Sequence, residues 1–103
     1  MRSREIRGTL SKGRRASGPR VILYVAPGEP GARPAFVAGR RIGGAVVRNR
    51  ARRILREAWY GLAPLAPADI HVVVVARGGI IGARTKELQA EMRGLLSTLG
   101  IVP

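Results

Sequence analysis

The amino-acid sequence predicts a two-layer α+β fold in a single domain spanning residues 1–103, and three observations lead there. A chain of 103 residues with 46% hydrophobic content can bury one core but not two. Two short apolar runs, RVILYVA at 20–26 and DIHVVVVA at 69–76, are rich in β-branched residues and read as strands. Two longer segments, 45–60 and 85–99, repeat their apolar residues at helical spacing. Strands and helices interleave, but the chain is too short for a doubly wound sheet, so the expected order is α, β, β, α, β, α in two layers.

Taken in order, residues 1–19 are polar and basic with four Gly or Pro breaks. Only Ile6 and Leu10 are spaced for one helical turn, so this N-terminal segment is expected to be flexible. The run at 20–26 lies between Pro19 and Pro27, and PGEPGARP at 27–34 is a turn-rich loop. Residues 35–41 read as a second strand with Pro34 at its start or at a sheet edge, and the two strands suggest a hairpin. Gly43 and Gly44 break the pattern before a helix in which Val47, Ala51, Ile54, Leu55, Ala58 and Leu62 share one face, with Trp59 at its edge. After LAPLAP at 62–67, the run at 69–76 is apolar on both faces and belongs in the middle of the sheet. A Gly-rich loop at 77–83 precedes the last helix, with Thr85 as N-cap, a stripe of Leu88, Met92, Leu95, Leu96 and Leu99, and Gly100 as its stop.

Charge separates the chain into two unlike parts. The formal net charge is +13, and residues 1–56 hold 15 of the 19 basic residues but two of the six acids. Residues 57–103 are balanced, with four of each sign. A concentrated cationic surface is what a polyphosphate partner requires, and the dominance of Arg over Lys favours RNA, because a guanidinium grips phosphate with two hydrogen bonds and stacks on bases. Arg enrichment alone is equally what a G+C-rich genome produces, so the clustering carries the argument. The chain has no cysteine, which excludes disulfides, thiolate nucleophiles and thiolate metal sites. No apolar run reaches membrane-span length and no signal-peptide stretch follows Met1, so a cytoplasmic protein with no membrane partner is expected.

The densest constellation is GRRIGGAVVRNRARRILREAW at 39–59. Arg40 and Arg41 precede the glycine pair, and Arg48, Asn49, Arg50, Arg52, Arg53 and Arg56 occupy the helix surface left by its apolar face. Their mutual repulsion disfavours the helix by a few tenths of a kcal/mol per i,i+4 pair, which a phosphate backbone offsets. Asn49 adds a donor and an acceptor that a purely electrostatic clamp does not need. Gly43 and Gly44 either offer backbone N–H groups to an anion at the helix start or make a tight turn that needs positive φ. Tyr24 and Phe36 are either stacking platforms for single-stranded bases or core residues. His71, the one histidine, alternates into an apolar strand and reads as structural. The acids and serines form no paired-carboxylate, metal-ligand or nucleophile–base arrangement, so no catalytic residue and no protein-held metal are expected. Glu87 and Glu91, at i,i+4, read mainly as helix-surface acids.

The segment 45–57, AVVRNRARRILRE, resembles the arginine–asparagine–arginine signature helix of the bacterial ribonuclease P protein component. GRRIGG upstream is similar to that family's basic loop, and DIHVVVVARGG at 69–79 to its last strand and loop. The resemblance implies an α-β-β-β-α-β-α domain like the second domain of ribosomal protein S5, with one strand more than the residue pattern resolves. It implies an accessory subunit that binds the ribonuclease P RNA and the 5′ leader of precursor tRNA while the RNA cleaves the leader, with magnesium held in the RNA-containing holoenzyme. It places Arg40, Arg41, Arg48, Asn49, Arg50, Arg52 and Arg53 against RNA and Tyr24 in the family's leader cleft. Where the family carries two phenylalanines on that cleft, this chain has Ile6 and Leu10, which puts leader stacking there in question. A ribosomal-type RNA-binding module without a catalytic role is the alternative. An anionic-membrane binder is weaker, because the sheet claims the apolar face it would need.

Overall fold

The computed structural model describes residues 6, 8, 13–30, 33–62 and 69–102. The elements are β1 (Arg14–Ser17), β2 (Val21–Pro27), β3 (Ala35–Val37), α1 (Ala45–Leu62), β4 (Ile70–Ala76) and α2 (Thr85–Thr98), with short 3-10 turns at Arg40–Ile42 and Gly78–Ile80. The four strands form one sheet in the order β1-β2-β4-β3.

Alternation along the two central strands decides where the core lies. Val21, Leu23 and Val25 of β2 stand opposite Ala76, Val74 and Val72 of β4, and all six point to one face, where both helices cover them. Ala51, Ile54, Leu55, Ala58, Trp59 and Leu62 of α1 complete that core with Leu88, Met92 and Leu96 of α2. Val73 faces away from the helices and is nonetheless fully buried, in keeping with a central strand that is apolar on both sides. Val47, assigned to the apolar face by periodicity, is exposed instead, because it lies in the first turn of α1, beside Gly43 and ahead of the sheet.

Three expectations are corrected. Residues 14–17, read as part of a flexible segment, form an edge strand antiparallel to β2, so the hairpin in this sheet is β1-β2. The expected hairpin between the strands at 20–26 and 35–41 does not form: β4 lies between them, and β3 pairs with it in parallel. With β2 paired along one edge of β4, the other edge keeps its backbone hydrogen-bonding groups open, and β3 pairs there. The second strand is also shorter than expected, since Arg40 and Arg41 belong to a 3-10 turn. Pro34 precedes an edge strand, where its missing N–H costs nothing. The first helix that the family resemblance implies falls mostly outside the described residues, although Ile6 and Gly8 are helical.

The last helix is capped one residue earlier than expected. The Glu87 carboxylate accepts the Arg84 N–H at 3.0 Å, while Thr85 Oγ1 donates to Glu57 on α1 at 3.3 Å and ties the two helices together. Gly100, at φ +75°, ends the helix as predicted, with the Ile101 N–H returning to the Leu96 carbonyl. No helix among the described residues is long and apolar enough to cross a membrane.

Candidate nucleic-acid interface

The signature segment folds into a turn followed by one long helix, and the two glycines have different duties. Gly43 sits at φ +151° and ψ −163°, a region open essentially to glycine, and its N–H donates to the Arg40 carbonyl at 3.2 Å. The tight-turn explanation therefore accounts for Gly43. Gly44 precedes the helix, its carbonyl accepting the Arg48 N–H at 2.9 Å, and lacks a side chain to cap the first-turn amides. The start of α1 thus presents backbone donors beside Arg40 and Arg41, both exposed on the preceding turn.

Along the helix, Arg50, Arg53 and Arg56 are exposed and Arg48 and Arg52 are half-buried. Among the described residues none of the seven arginines from Arg40 to Arg56 makes an ion pair; the two ion pairs there both involve Arg20. Asn49 Oδ1 accepts a hydrogen bond from Arg52 Nη2, which directs that guanidinium. Arg48 holds its Nε away from solvent without a hydrogen-bond partner among the described residues. An unsatisfied buried donor costs about 1–3 kcal/mol, so this guanidinium is only partly stabilised by its own chain.

The residues assigned to a leader cleft are not brought onto one surface. Tyr24 pairs with Val73 and Arg15, so it stands on the sheet face away from the helices. Phe36 pairs with Val74 and stands on the helix face, where its ring lies 6.5 Å from that of Tyr60 and 5.6 Å from Arg56 Cζ. Ile6 is helical and half-buried, and Leu10 lies outside the described residues. Two neighbours went unrecognised in the sequence. Arg15 is exposed directly opposite Tyr24, a placement visible only once residues 14–17 are known to be a strand. Tyr60 follows Arg53 and Arg56 at helical spacing, and that spacing was available.

The acids lie elsewhere or serve structure. Glu91, 8% exposed in its side chain, accepts the Arg20 and Val21 N–H groups at 2.9 and 3.0 Å and the Arg20 guanidinium at 2.9 Å. It is a buried latch joining α2 to the start of β2, not a surface acid. Among the described residues no three His, Cys, Asp or Glu side chains come together as metal ligands would.

The sequence model of the family described as Ribonuclease P matches residues 1–100. The ribonuclease P protein component of Acidothermus cellulolyticus is 39% identical over 101 residues, covering 95% of this chain and 84% of the relative. That of Chloroflexus aurantiacus is 38% identical over 104 residues, covering 99% and 77%. In fold, the chain superposes on the Staphylococcus aureus RNase P protein with a TM-score of 0.83 over 100% of this chain and 95% of that one, at 17% identity. On the Thermotoga maritima RNase P protein the TM-score is 0.79, over 91% of each chain, again at 17% identity. A match along nearly the whole length, with relatives well above 30% identity, means that the chain belongs to the ribonuclease P protein-component family.

Proposed function

We propose that this chain, as the accessory subunit of a cytoplasmic ribonucleoprotein endoribonuclease, binds the ribonuclease P RNA through its arginine surface and the 5′ leader of precursor tRNA on the Tyr24 face of the sheet. The observation that carries the reading is the run of seven arginines from Arg40 to Arg56 with no acidic partner among the described residues. Such a surface is completed by a phosphate backbone, and each phosphate neutralised releases condensed counterions. Arg40 and Arg41 act from the turn, Arg48, Arg50, Arg52, Arg53 and Arg56 from α1, and Asn49 orients Arg52. Tyr24 offers its ring to a leader base with Arg15 beside it for the flanking phosphate, and Ile6 and Leu10 add apolar contact where the family has aromatic rings. Cleavage is assigned to the RNA and magnesium to the RNA-containing holoenzyme, as the family resemblance implies.

The test is precursor-tRNA cleavage by a bacterial ribonuclease P RNA at low magnesium, with and without the protein. The wild-type chain is expected to rescue cleavage, and the variant with Arg48, Asn49 and Arg50 all changed to Ala is expected to lose the rescue. Tight, salt-sensitive RNA binding that leaves cleavage unchanged would instead favour a ribosomal-type RNA-binding module.

A further inference from the structure

The arginine face of α1 ends on an aromatic residue that charge alone does not explain. Tyr60 is 56% exposed, and Asn49, Arg53, Arg56 and Tyr60 follow one another at intervals of four, three and four residues along a single stripe of the helix. The Tyr60 ring is not left to swing freely. It meets Phe36 at 6.5 Å between centroids with a 55° tilt, within the range of favourable aromatic pairs, and Arg56 sits over the other ring at 5.6 Å. The result is a supported ring with an open side, at the end of a cationic track.

We propose that Tyr60, braced by Phe36 and preceded along its stripe by Arg53 and Arg56, is a stacking platform for an unpaired nucleobase of the ribonuclease P RNA. The inference rests on the subunit role proposed above. The chemistry of the stripe selects a nucleotide: the guanidinium groups take the phosphates on the approach to the ring while the ring takes the base, and every base has a π-face to offer. The register selects the RNA subunit over the leader. Phe36 stands with Val74 on the helix side of the sheet, whereas Tyr24, the leader's ring, stands with Val73 on the opposite side. The platform therefore belongs to the surface that already carries the arginine helix.

The experiment measures binding of labelled ribonuclease P RNA, and separately of a single-stranded leader oligonucleotide, across a salt series. Tyr60→Ala is expected to weaken RNA-subunit binding about 5- to 150-fold, the range for loss of one stacked base. Tyr60→Leu, which keeps an apolar contact to Phe36 and so protects against a folding artefact, is expected to fall similarly, while Tyr60→Phe stays within about twofold because the ring is retained. The salt slope is expected to hold for the Tyr60 variants and to drop by about 0.7–0.9 for Arg56→Ala. Wild-type affinity in Tyr60→Leu, or a Tyr60→Phe loss as deep as Tyr60→Ala, would overturn the platform and leave the subunit role standing. Loss confined to the leader oligonucleotide would overturn the assignment to the RNA subunit. Absence of RNA binding by the wild-type chain would overturn both.

Discussion

Asn49 is uncharged in the middle of a cationic surface, and its hydrogen bond to Arg52 gives that residue a physical task. A guanidinium held in one direction has less rotamer entropy to lose when it meets a phosphate. In a double-substitution cycle of Asn49→Ala and Arg52→Ala, RNA-binding free energies are expected to couple by about 0.5–1.5 kcal/mol, the net worth of one hydrogen bond. Asn49→Ala alone is expected to leave the salt slope unchanged, because no charge is lost, and additive effects would show that Asn49 acts independently of Arg52. Glu91 makes the opposite case, an acid with a purely structural role. Glu91→Gln puts an amide where the carboxylate accepts three donors, at an expected cost of about 1.5–3 kcal/mol in urea unfolding. Glu87→Gln, at an exposed ion pair, is expected to cost about 0–1 kcal/mol, so equal losses would contradict the latch. Sequence reasoning found the cations because they cluster within a few turns of one helix. It missed the latch because Glu91 meets Arg20 and Val21 across about 70 residues of chain, a distance that no local pattern spans.

At the scale of elements, the glycine pair before α1 separates two effects that the sequence left joined. Gly43 holds a backbone conformation closed to other residues, and a Cβ there would also meet Val47 at 3.0 Å. Gly44 has open space around its Cβ position. Gly43→Ala is therefore expected to lower thermal stability by about 1–3 kcal/mol and Gly44→Ala by much less, and the reverse order would remove the turn as the reason for Gly43. The two helices and the central strand were legible because their apolar residues repeat at fixed periods and Gly100 marks a stop. Strand order was not. Adjacent apolar runs suggested a hairpin, but the pairing of β3 with β4 in parallel is set by which edges of β4 remain open, a property of the assembled sheet. The edge strand β1 was hidden by its composition: Arg14, Arg15 and Ser17 are the polar, charged residues that protect a sheet edge from pairing with other chains, and they carry no strand-like apolar alternation.

For the whole molecule, a formal charge of +13 on 103 residues opposes the compact state, because folding brings the arginines of the turn and α1 closer than an unfolded chain holds them. The core under the two helices stabilises the fold, and the arginine face strains it. Screening relieves that strain, with a Debye length that falls from about 30 Å at 0.01 M salt to about 8 Å at 0.15 M. The melting temperature is accordingly expected to rise with ionic strength across this range. Multivalent anions should act beyond screening, since an anion bound to the folded arginine surface stabilises by mass action and has no equally dense site on the unfolded chain. At equal ionic strength, sulfate or pyrophosphate is expected to raise the melting temperature further than chloride, and the excess is expected to shrink when Arg48 and Arg50 are both changed to Ala. Calorimetry or circular dichroism melts measure all three quantities. A melting temperature that fell with salt would mean that the charges stabilise one another through pairs, and an anion excess unaffected by the two substitutions would place anion binding away from α1.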